Sequence, residues 1–334
     1  MAIVRRILRV VFYAALVVVA AAIGALVVLT TTERGRANLA GLISNAASSE
    51  GSKVTVSGID GIWSGNLTVD HVVLEDTQGP WLVLREVAVD WSPLGLLSRT
   101  FRADRVAVGR IEAARAPVAD PNAQPKNSDG FSLPVSVDIR EIDLPQIALG
   151  EALAGAGIAE LAAKGAVRAE RSPLAVEADL NLARHDGKQG TVDASVHFLP
   201  EDNRLDLDVR ADEPAGGIIA NLLKLPDAPP VNIVVSGNGP LADWNGRAAF
   251  NVDGQLITQI TGRHQFTDKG SRVEAKGDGD FAGFVPLRLK SLLGGRTNFD
   301  LAGTATNDGG VEIENATFDT AAVHGEAKGS INPK

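Results

Sequence analysis

The sequence predicts an all-β protein: an elongated antiparallel β-groove, a taco-like or β-helix-like sheet, with short capping helices and one transmembrane helix before it. From Gly51 onward the chain is a series of short, partly alternating segments such as "TVDASVHFL", bounded by Gly, Asn, Asp or Pro, which is typical of consecutive strands and tight turns. Aromatic residues are only 4% of the chain, so Val, Leu, Ile and Ala must supply most of the apolar surface. The third observation is a long charge-free segment near the N-terminus.

That segment is Val10–Leu29, which follows Arg5, Arg6 and Arg9 and contains no charged residue. At about 1.5 Å per helical residue it reaches about 30 Å, enough to cross a bilayer. A cleaved signal peptide is the alternative, but its apolar stretch usually has about 7–15 residues before a small-residue cleavage site. We therefore expect an uncleaved anchor. Its candidate membrane-facing residues are Val10, Val11, Leu16, Val19, Ile23, Leu26 and Leu29.

The arginines before the anchor are expected to stay in the cytoplasm, which sends the rest of the chain across the membrane. Residues 1–32 are then a cytoplasmic stub and transmembrane anchor, and residues 33–50 a short juxtamembrane helix. Residues 51–115 form a first groove segment, and residues 116–134, with four prolines, form a flexible loop. Residues 135–334 continue the groove, and we expect the chain to stop before the groove ends.

Few segments interrupt the strand pattern. Short helices are predicted at "PLGLLS" (93–98), "GGIIANLLKL" (216–225) and "FVPLRLKSLLGG" (284–295). Residues 150–165 are ambiguous, because their alanines favour a helix whereas each glycine costs a helix about 1 kcal/mol.

Motifs for catalysis or cofactor binding are missing from the sequence. The five histidines are scattered, cysteine is absent, and no phosphate loop, nucleophile elbow or complete EF-hand loop occurs. We therefore expect neither an enzyme nor a cofactor or metal site. The net charge of −9, with no basic run after the first ten residues, also argues against nucleic-acid binding.

The segment "RLDLDVRAD" (204–212) shows the feature that can carry a function without such motifs, a strand with two different faces. Its Asp and Arg side chains alternate with aliphatic ones, so one face of the strand is charged and the other apolar. The short "PEDN" turn pairs this strand with the one before it, which places the aliphatic residues of both, Ala194 included, on one side. The candidate groove residues are Val192, Val196, Phe198, Leu205, Leu207 and Val209.

Such a face can either fill a closed sandwich, in which two sheets pack about 10 Å apart, or line an open groove. The low aromatic content favours the groove, and an anchored sheet outside the cytoplasm is well placed to receive acyl chains leaving the bilayer. The tryptophans lie at strand ends or turns beside Gly, Pro or Asp. We expect them to be structural anchors of the sheet, the first three also acting as a wedge at its membrane end. They are Trp63, Trp81, Trp91 and Trp244.

Two stretches carry a family resemblance. "GIDGIWSGNLTVDHVVLEDTQGPWLVLREVAVDWSPLGLLSRTFRADRVAVGRIEAAR" resembles the N-terminal region of TamB proteins. Further on, "EPAGGIIANLLKLPDAPPVNIVVSGNGPLADWNGRAAF" is similar to the G-x-G-P-L-x-D-W segment of that family. The matching residues are Gly237, Gly239, Pro240, Leu241, Asp243 and Trp244.

The resemblance implies an AsmA-like protein, similar to the bridge-like lipid-transfer proteins of eukaryotes. Such proteins are anchored in the bacterial inner membrane by one span with a cytoplasmic N-terminus, and their bulk lies in the periplasm. They conduct phospholipid toward the outer membrane and work with a TamA-type outer-membrane barrel, through a C-terminal region that this chain lacks.

Two other functions stay open at this stage. One is a scaffold that assists outer-membrane protein assembly by pairing an exposed edge strand with a substrate strand, a mode called β-augmentation. The other is an anchored structural sandwich with a filled core.

Overall fold

A computed structural model describes residues 32–48, 51–118, 133, 135–281 and 295–331. The predicted anchor, most of the predicted loop at 116–134 and nearly all of the predicted helix at 284–295 lie outside these residues. None of the helices in the described part has the length and apolar character needed to cross a bilayer.

The described part is dominated by one sheet of sixteen strands, each hydrogen-bonded to the next one along the chain. The strands are β1 (Ser52–Asp60), β2 (Asn66–Asp76), β3 (Gly79–Trp91), β4 (Thr100–Ala113), β5 (Ser136–Leu149), β6 (Ala159–Arg171), β7 (Leu174–Arg184), β8 (Thr191–Leu199), β9 (Arg204–Glu213), β10 (Val231–Asn238), β11 (Asp243–Val252), β12 (Gln255–Thr267), β13 (Gly270–Asp280), β14 (Arg296–Thr306), β15 (Val311–Asp319) and β16 (His324–Ile331). The all-β prediction is confirmed.

Helices are short and peripheral in the described part. They are α1 (Glu33–Ala47), a 3-10 helix (Pro93–Ser98), α2 (Glu151–Ala154) and α3 (Ile218–Leu222). The helices predicted at 93–98 and within 216–225 are present. The ambiguous segment 150–165 divides: α2 ends at Gly155, whose φ of 78° stops the helix, and the alanine-rich remainder enters β6.

The prediction of a wholly antiparallel sheet was wrong at one place, because β4 and β5 run parallel. A tight turn necessarily reverses the chain, whereas a parallel pair requires a connection of a dozen or more residues. The next strand in the chain, β5, starts at Ser136 beside Thr100, where β4 starts. The sheet is therefore mixed, with one parallel pair among antiparallel ones.

The start of this connection is fastened by an ion pair. Both terminal nitrogens of the Arg115 guanidinium donate to the Asp76 carboxylate, each at 2.6 Å. The backbone N–H groups of Gln78 and Val118 donate to the same carboxylate, each at 2.7 Å. The hydrogen bonds from Arg115, helped by those from the two backbone groups, hold the pKa of Asp76 well below its ordinary value of 3.8.

Asp76→Asn should lower the urea midpoint of unfolding at pH 7. A carboxylate whose folded-state pKa is depressed stabilises the fold above its unfolded-state pKa, near 3.8 for Asp76, and loses that effect as the pH falls toward the folded-state value. The gap between wild type and variant should therefore narrow between pH 5 and pH 3. Asp104→Asn, which removes an exposed pair with Arg140, is the control and should change little. A gap that does not vary with pH would contradict this role for Asp76.

The strand ends form two rims. The first rim carries the turns at 61–65, 92–99, 172–173, 200–203, 239–242, 268–269 and 307–310. The second rim carries the turn at 77–78, α2, residues 185–190, α3 and the turns at 253–254 and 320–323.

The strand register gives the sheet one apolar face along its whole length. On this apolar face each aliphatic residue pairs mainly with an aliphatic or small residue of the next strand. One member from each strand is, in order, Val56, Val72, Val89, Val106, Ile142, Val167, Ala178, Val196, Leu207, Val235, Ala248, Ile260, Ala275, Leu301, Ala316 and Ala327.

Bulges preserve this face in the long strands. In β5 the register against β6 shifts between Ile139 and Ile142 and again between Leu144 and Ile147. Each shift adds one residue to β5, so that two consecutive residues point to the polar side and the next aliphatic residue returns to the apolar side. Without the bulges, Ile142 and Leu144 would point to the polar face.

The apolar face is open rather than packed inside a sandwich. All sixteen strands belong to the same sheet, and apolar-face residues such as Leu180, Val273 and Leu301 are 41%, 52% and 44% exposed. Buried clusters are small: one lies under α1 around Ala40, and the other under α3 around Ala220. The alternative of a filled sandwich core is not supported.

Candidate functional site

The predicted groove residues lie side by side on the apolar face of β8 and β9. Val196 pairs with Leu207, and Phe198 pairs with Leu205. Val192 pairs with Ala211, while Val209 pairs with Ala194 and, on its other side, with Val235. All six predicted residues are half-buried. A half-buried aliphatic surface that continues into both neighbouring strands can contact a long apolar ligand without a closed pocket.

The opposite face of the same strands is charged. Asp206 accepts a hydrogen bond from Arg204 at 2.6 Å, and Asp208 accepts one from Arg210 at 3.1 Å. An open cavity of about 1020 Å³ lies over this polar face, bordered by those four side chains among others. Because its charges are paired and solvated, this cavity does not suit an acyl chain.

Cross-strand ion pairs continue along the polar face of β4 and β5. Arg102 lies 3.2 Å from Asp138, and Arg140 lies 2.7 Å from Asp104. The hydrogen bond from Arg110 is the main reason that the pKa of Glu112 lies below its ordinary value. Exposed pairs of this kind each contribute only about 0–1 kcal/mol to stability. Their main consequence is that this face remains hydrated, which leaves the other face for apolar contacts.

Helix α1 closes the sheet at β1. The hydroxyl oxygens of Ser44 and Ser48 accept hydrogen bonds from the backbone N–H groups of Val56 and Val54, each at 2.8 Å. Ala40 packs on the apolar face against Ile59 and neighbouring residues. These contacts occupy donors that an open edge strand would otherwise present to another chain. The apolar face therefore becomes accessible only beyond the strands that α1 covers.

At the second rim, α2 and α3 contact each other. A Cβ on Gly155, just after α2, would lie 2.8 Å from the Cβ of Asn221 in α3. Because α2 follows β5 and α3 precedes β10, this contact spans the ends of β6 to β9. The carboxylate of Glu213 fixes α3 by accepting hydrogen bonds from the N–H groups of Ile218 and Ile219 at 3.0 and 2.7 Å.

Residues near these two helices are buried. Ala159 and Val231 are 0% and 2% exposed. Helices α2 and α3 therefore form a strap that covers the apolar face at its second rim, while the central parts of the strands stay open.

The four tryptophans lie in different surroundings. Trp63 is 54% exposed in the turn between β1 and β2, and Trp81 is half-buried in β3. Trp91 lies on the apolar face with its ring centroid 5.8 Å from that of Phe101. The Trp244 side chain donates from Nε1 to the carbonyl oxygen of Leu205 at 2.8 Å.

Sequence reasoning missed a pairing of aromatic rings with glycines on this face. A Cβ on Gly237 would lie 2.1 Å from the indole of Trp244, and one on Gly277 would lie 2.4 Å from the ring of Phe299. The rings thus lie over bare backbone of a neighbouring strand. The available signal was glycine at apolar-face positions of consecutive strands, which alternation alone does not distinguish from a turn.

Comparison with known proteins adds one match. The family model YdbH-like, described as "Intermembrane phospholipid transport protein YdbH", matches residues 20–329. The bridge-like class of lipid-transport proteins that the TamB resemblance implied is supported, and the family that matches within it is YdbH-like rather than TamB. No curated protein and no solved structure matches the chain.

Proposed function

Because the chain belongs to the YdbH-like family of intermembrane phospholipid transport proteins, we propose that its apolar face carries phospholipid acyl chains between two membranes. The observation that supports this proposal is the continuity of that face, which the register extends through all sixteen strands. The family is one of lipid transport and not of enzymes. Transport along the face needs a continuous apolar surface and no reacting group.

The aliphatic side chains of the apolar face offer an acyl chain surroundings similar to those it has in a bilayer. Each acyl CH₂ group gains about 0.8 kcal/mol when it leaves water for an apolar surface, so a lipid tail stays on the aliphatic side chains. Moving from one strand to the next exchanges one aliphatic contact for another, which keeps the barrier low. The polar head group can stay in water at the first rim, since the strap occupies part of the second. Fifteen strand spacings of about 4.8 Å give a path of about 70 Å.

The same proposal places the protein in the bacterial cell envelope. We infer that Val10–Leu29 anchors the chain once in the bacterial inner membrane and that the sheet lies in the periplasm, in segments 51–115 and 135–334 joined by residues 116–134. The charge-free segment behind three arginines supports this arrangement. A TamA-type barrel as the outer-membrane partner stays a prediction from the resemblance.

Site-specific photocrosslinking in cells tests the proposal. A photoreactive residue at Val106, Val196 or Leu301 should give phospholipid adducts, because these positions lie on the apolar face of β4, β8 and β14 and are not buried. The adjacent positions Arg105, His197 and Asp300 are matched controls on the polar face and should give none. Equal labelling of both sets, or no lipid adduct at the first three positions, would refute lipid transport on this face.

A scaffold acting by β-augmentation is the second candidate. It is favoured by β16, which pairs with β15 alone in the described part and whose residues are largely exposed. A photoreactive residue at Glu326 would then crosslink to outer-membrane proteins, and the apolar-face positions would give no lipid adducts. Protein adducts together with lipid adducts would leave the transport proposal in place.

A further inference from the structure

Four large apolar side chains project into solvent at the first rim, near the start of the sheet. They are Trp63, Leu94, Leu96 and Leu97, which are 54%, 73%, 45% and 85% exposed. We call them the rim patch. Exposed apolar side chains are common singly, but a group of large ones on adjacent turns marks an interaction surface.

The two turns that carry the rim patch are tied together. Trp63 lies in the turn at 61–65, and the three leucines lie in the 3-10 helix between β3 and β4. The Trp91 N–H donates to the carbonyl oxygen of Gly65 at 2.7 Å, which joins the end of β3 to the neighbouring turn. The Ser92 N–H donates to the carbonyl oxygen of Arg102 at 2.9 Å, which fixes the start of the helix against β4.

The orientation of the 3-10 helix follows from Gly95. A Cβ at this position would lie 2.8 Å from the carbonyl oxygen of Thr100, so the helix packs closely on β4 through its glycine. Leu94, Leu96 and Leu97 are thereby left on the solvent side. The leucines are exposed because the backbone is held in place, and an apolar partner could bury them without refolding.

The position of α1 indicates what the rim patch contacts. Helix α1 starts at the same rim, because Arg36 in its first turns lies 3.2 Å from Asp60, the residue directly before the turn that carries Trp63. The side chain of Thr32 caps α1, and only two residues separate it from Leu29, the end of the charge-free segment. The proposed anchor therefore joins the sheet beside the rim patch.

We propose that the rim patch inserts into the surface of the bilayer that holds the anchor, which is an inference that rests on the proposed function. Leucines supply the apolar contact, and the Trp63 indole, with an apolar ring and an N–H donor, suits the interface between acyl chains and head groups. Exposed Arg99, directly after the helix, can contact lipid phosphates.

This contact would also place the apolar face next to the membrane. Trp91 and Phe101 lie on that face at the first rim, at the base of the 3-10 helix. Because α1 packs against the strands before them, a lipid leaving the bilayer would first meet the apolar face around Trp91 and Phe101, which are both half-buried. The rim patch would thus fix the point at which lipid enters the groove.

Depth measurements on the full-length chain test the proposal directly. The chain contains no cysteine, so Leu97→Cys and Trp63→Cys each give one site for an environment-sensitive nitrobenzoxadiazole label. In vesicles of phosphatidylethanolamine and phosphatidylglycerol, both labels should shift to the blue and be quenched several-fold by lipids with a nitroxide in the acyl chain. Leu223→Cys, 52% exposed directly after α3 at the second rim, is the matched control and should remain in water.

A second readout separates this inference from the proposed function. The triple variant Leu94→Ser, Leu96→Ser and Leu97→Ser should still sediment with membranes, and its lipid adducts at Val106 and Val196 should both fall several-fold. If the labels at positions 63 and 97 stay in water and the lipid adducts of the triple variant are unchanged, the inference about the rim patch is wrong, whereas the proposed lipid transport is unaffected. Labels shielded from water but not quenched by the lipid nitroxide would overturn the inference in favour of a protein partner. Missing lipid adducts in the wild-type sheet would instead refute the proposed function.

Discussion

Leu207→Asp should stop phospholipid from passing β9 while lipid contact nearer the anchor persists. Leu207 lies in the middle of the apolar face between Val196 and Gly237. A carboxylate there meets acyl chains instead of water or a cation, and an unpaired charge in such surroundings is strongly disfavoured. With the photoreactive residue at Val106 the lipid adduct should remain, and with the residue at Leu301 it should disappear. Val196→Asp, on the neighbouring strand, should act in the same way.

The control is Asp208→Leu, on the next residue but on the polar face. It removes an exposed pair with Arg210, which has little effect on stability, and does not touch the proposed lipid path. Lipid adducts at Leu301 should therefore persist. Equal loss in both variants, or unfolding of Leu207→Asp in circular dichroism, would favour a tightly packed face over a transport surface.

The two faces of the sheet were predictable because alternation is a local property. In "RLDLDVRAD" every second residue is charged, and a four-residue turn pairs the segment with its predecessor, so neither the face nor the partner strand depends on distant parts of the chain. The two-residue turn Asp253–Gly254 is similarly explicit, since both residues have positive φ, 51° and 72°.

Features that depend on distant contacts could not be predicted in this way. The alanine-rich segment at 159–171 is a strand because β5 and β7 offer hydrogen-bonding partners on both sides, which outweighs its helical propensity. The parallel pairing of β5 follows from where its connection ends and not from its own residues. The strap at the second rim requires two helices that lie far apart in sequence to meet, and neither helix carries a signal of the other.

For the rim patch, the sequence does not predict which side chains are exposed. The sequence shows leucines in "PLGLLS" and a tryptophan in "GIWSG" but not which of them are buried. Only the close approach of Gly95 to β4 decides that the leucines face outward. The same residues at the same spacing would fill a core if the helix were rotated.

Trp244→Ala should be among the most destabilising single substitutions in the described sheet. The indole lies over Gly237 of β10 and Gly246 of its own strand, and its Nε1 donates to the Leu205 carbonyl of β9. One side chain thus ties three strands together on a face that no second sheet covers. Large-to-small truncation of a buried Trp costs about 3–5 kcal/mol, and since this ring is half-buried we expect about 3 kcal/mol.

Chemical denaturation of the full-length protein measures this effect, and Trp63→Ala is the matched control. The Trp63 side chain is 54% exposed, so its removal should change the free energy of unfolding by less than about 0.5 kcal/mol. Gly237→Ala should reproduce part of the Trp244→Ala effect without removing the ring, because the added Cβ would lie 2.1 Å from the indole and force it off the sheet. Similar losses for Trp63→Ala and Trp244→Ala would show that the contact across three strands is not what stabilises this part of the sheet.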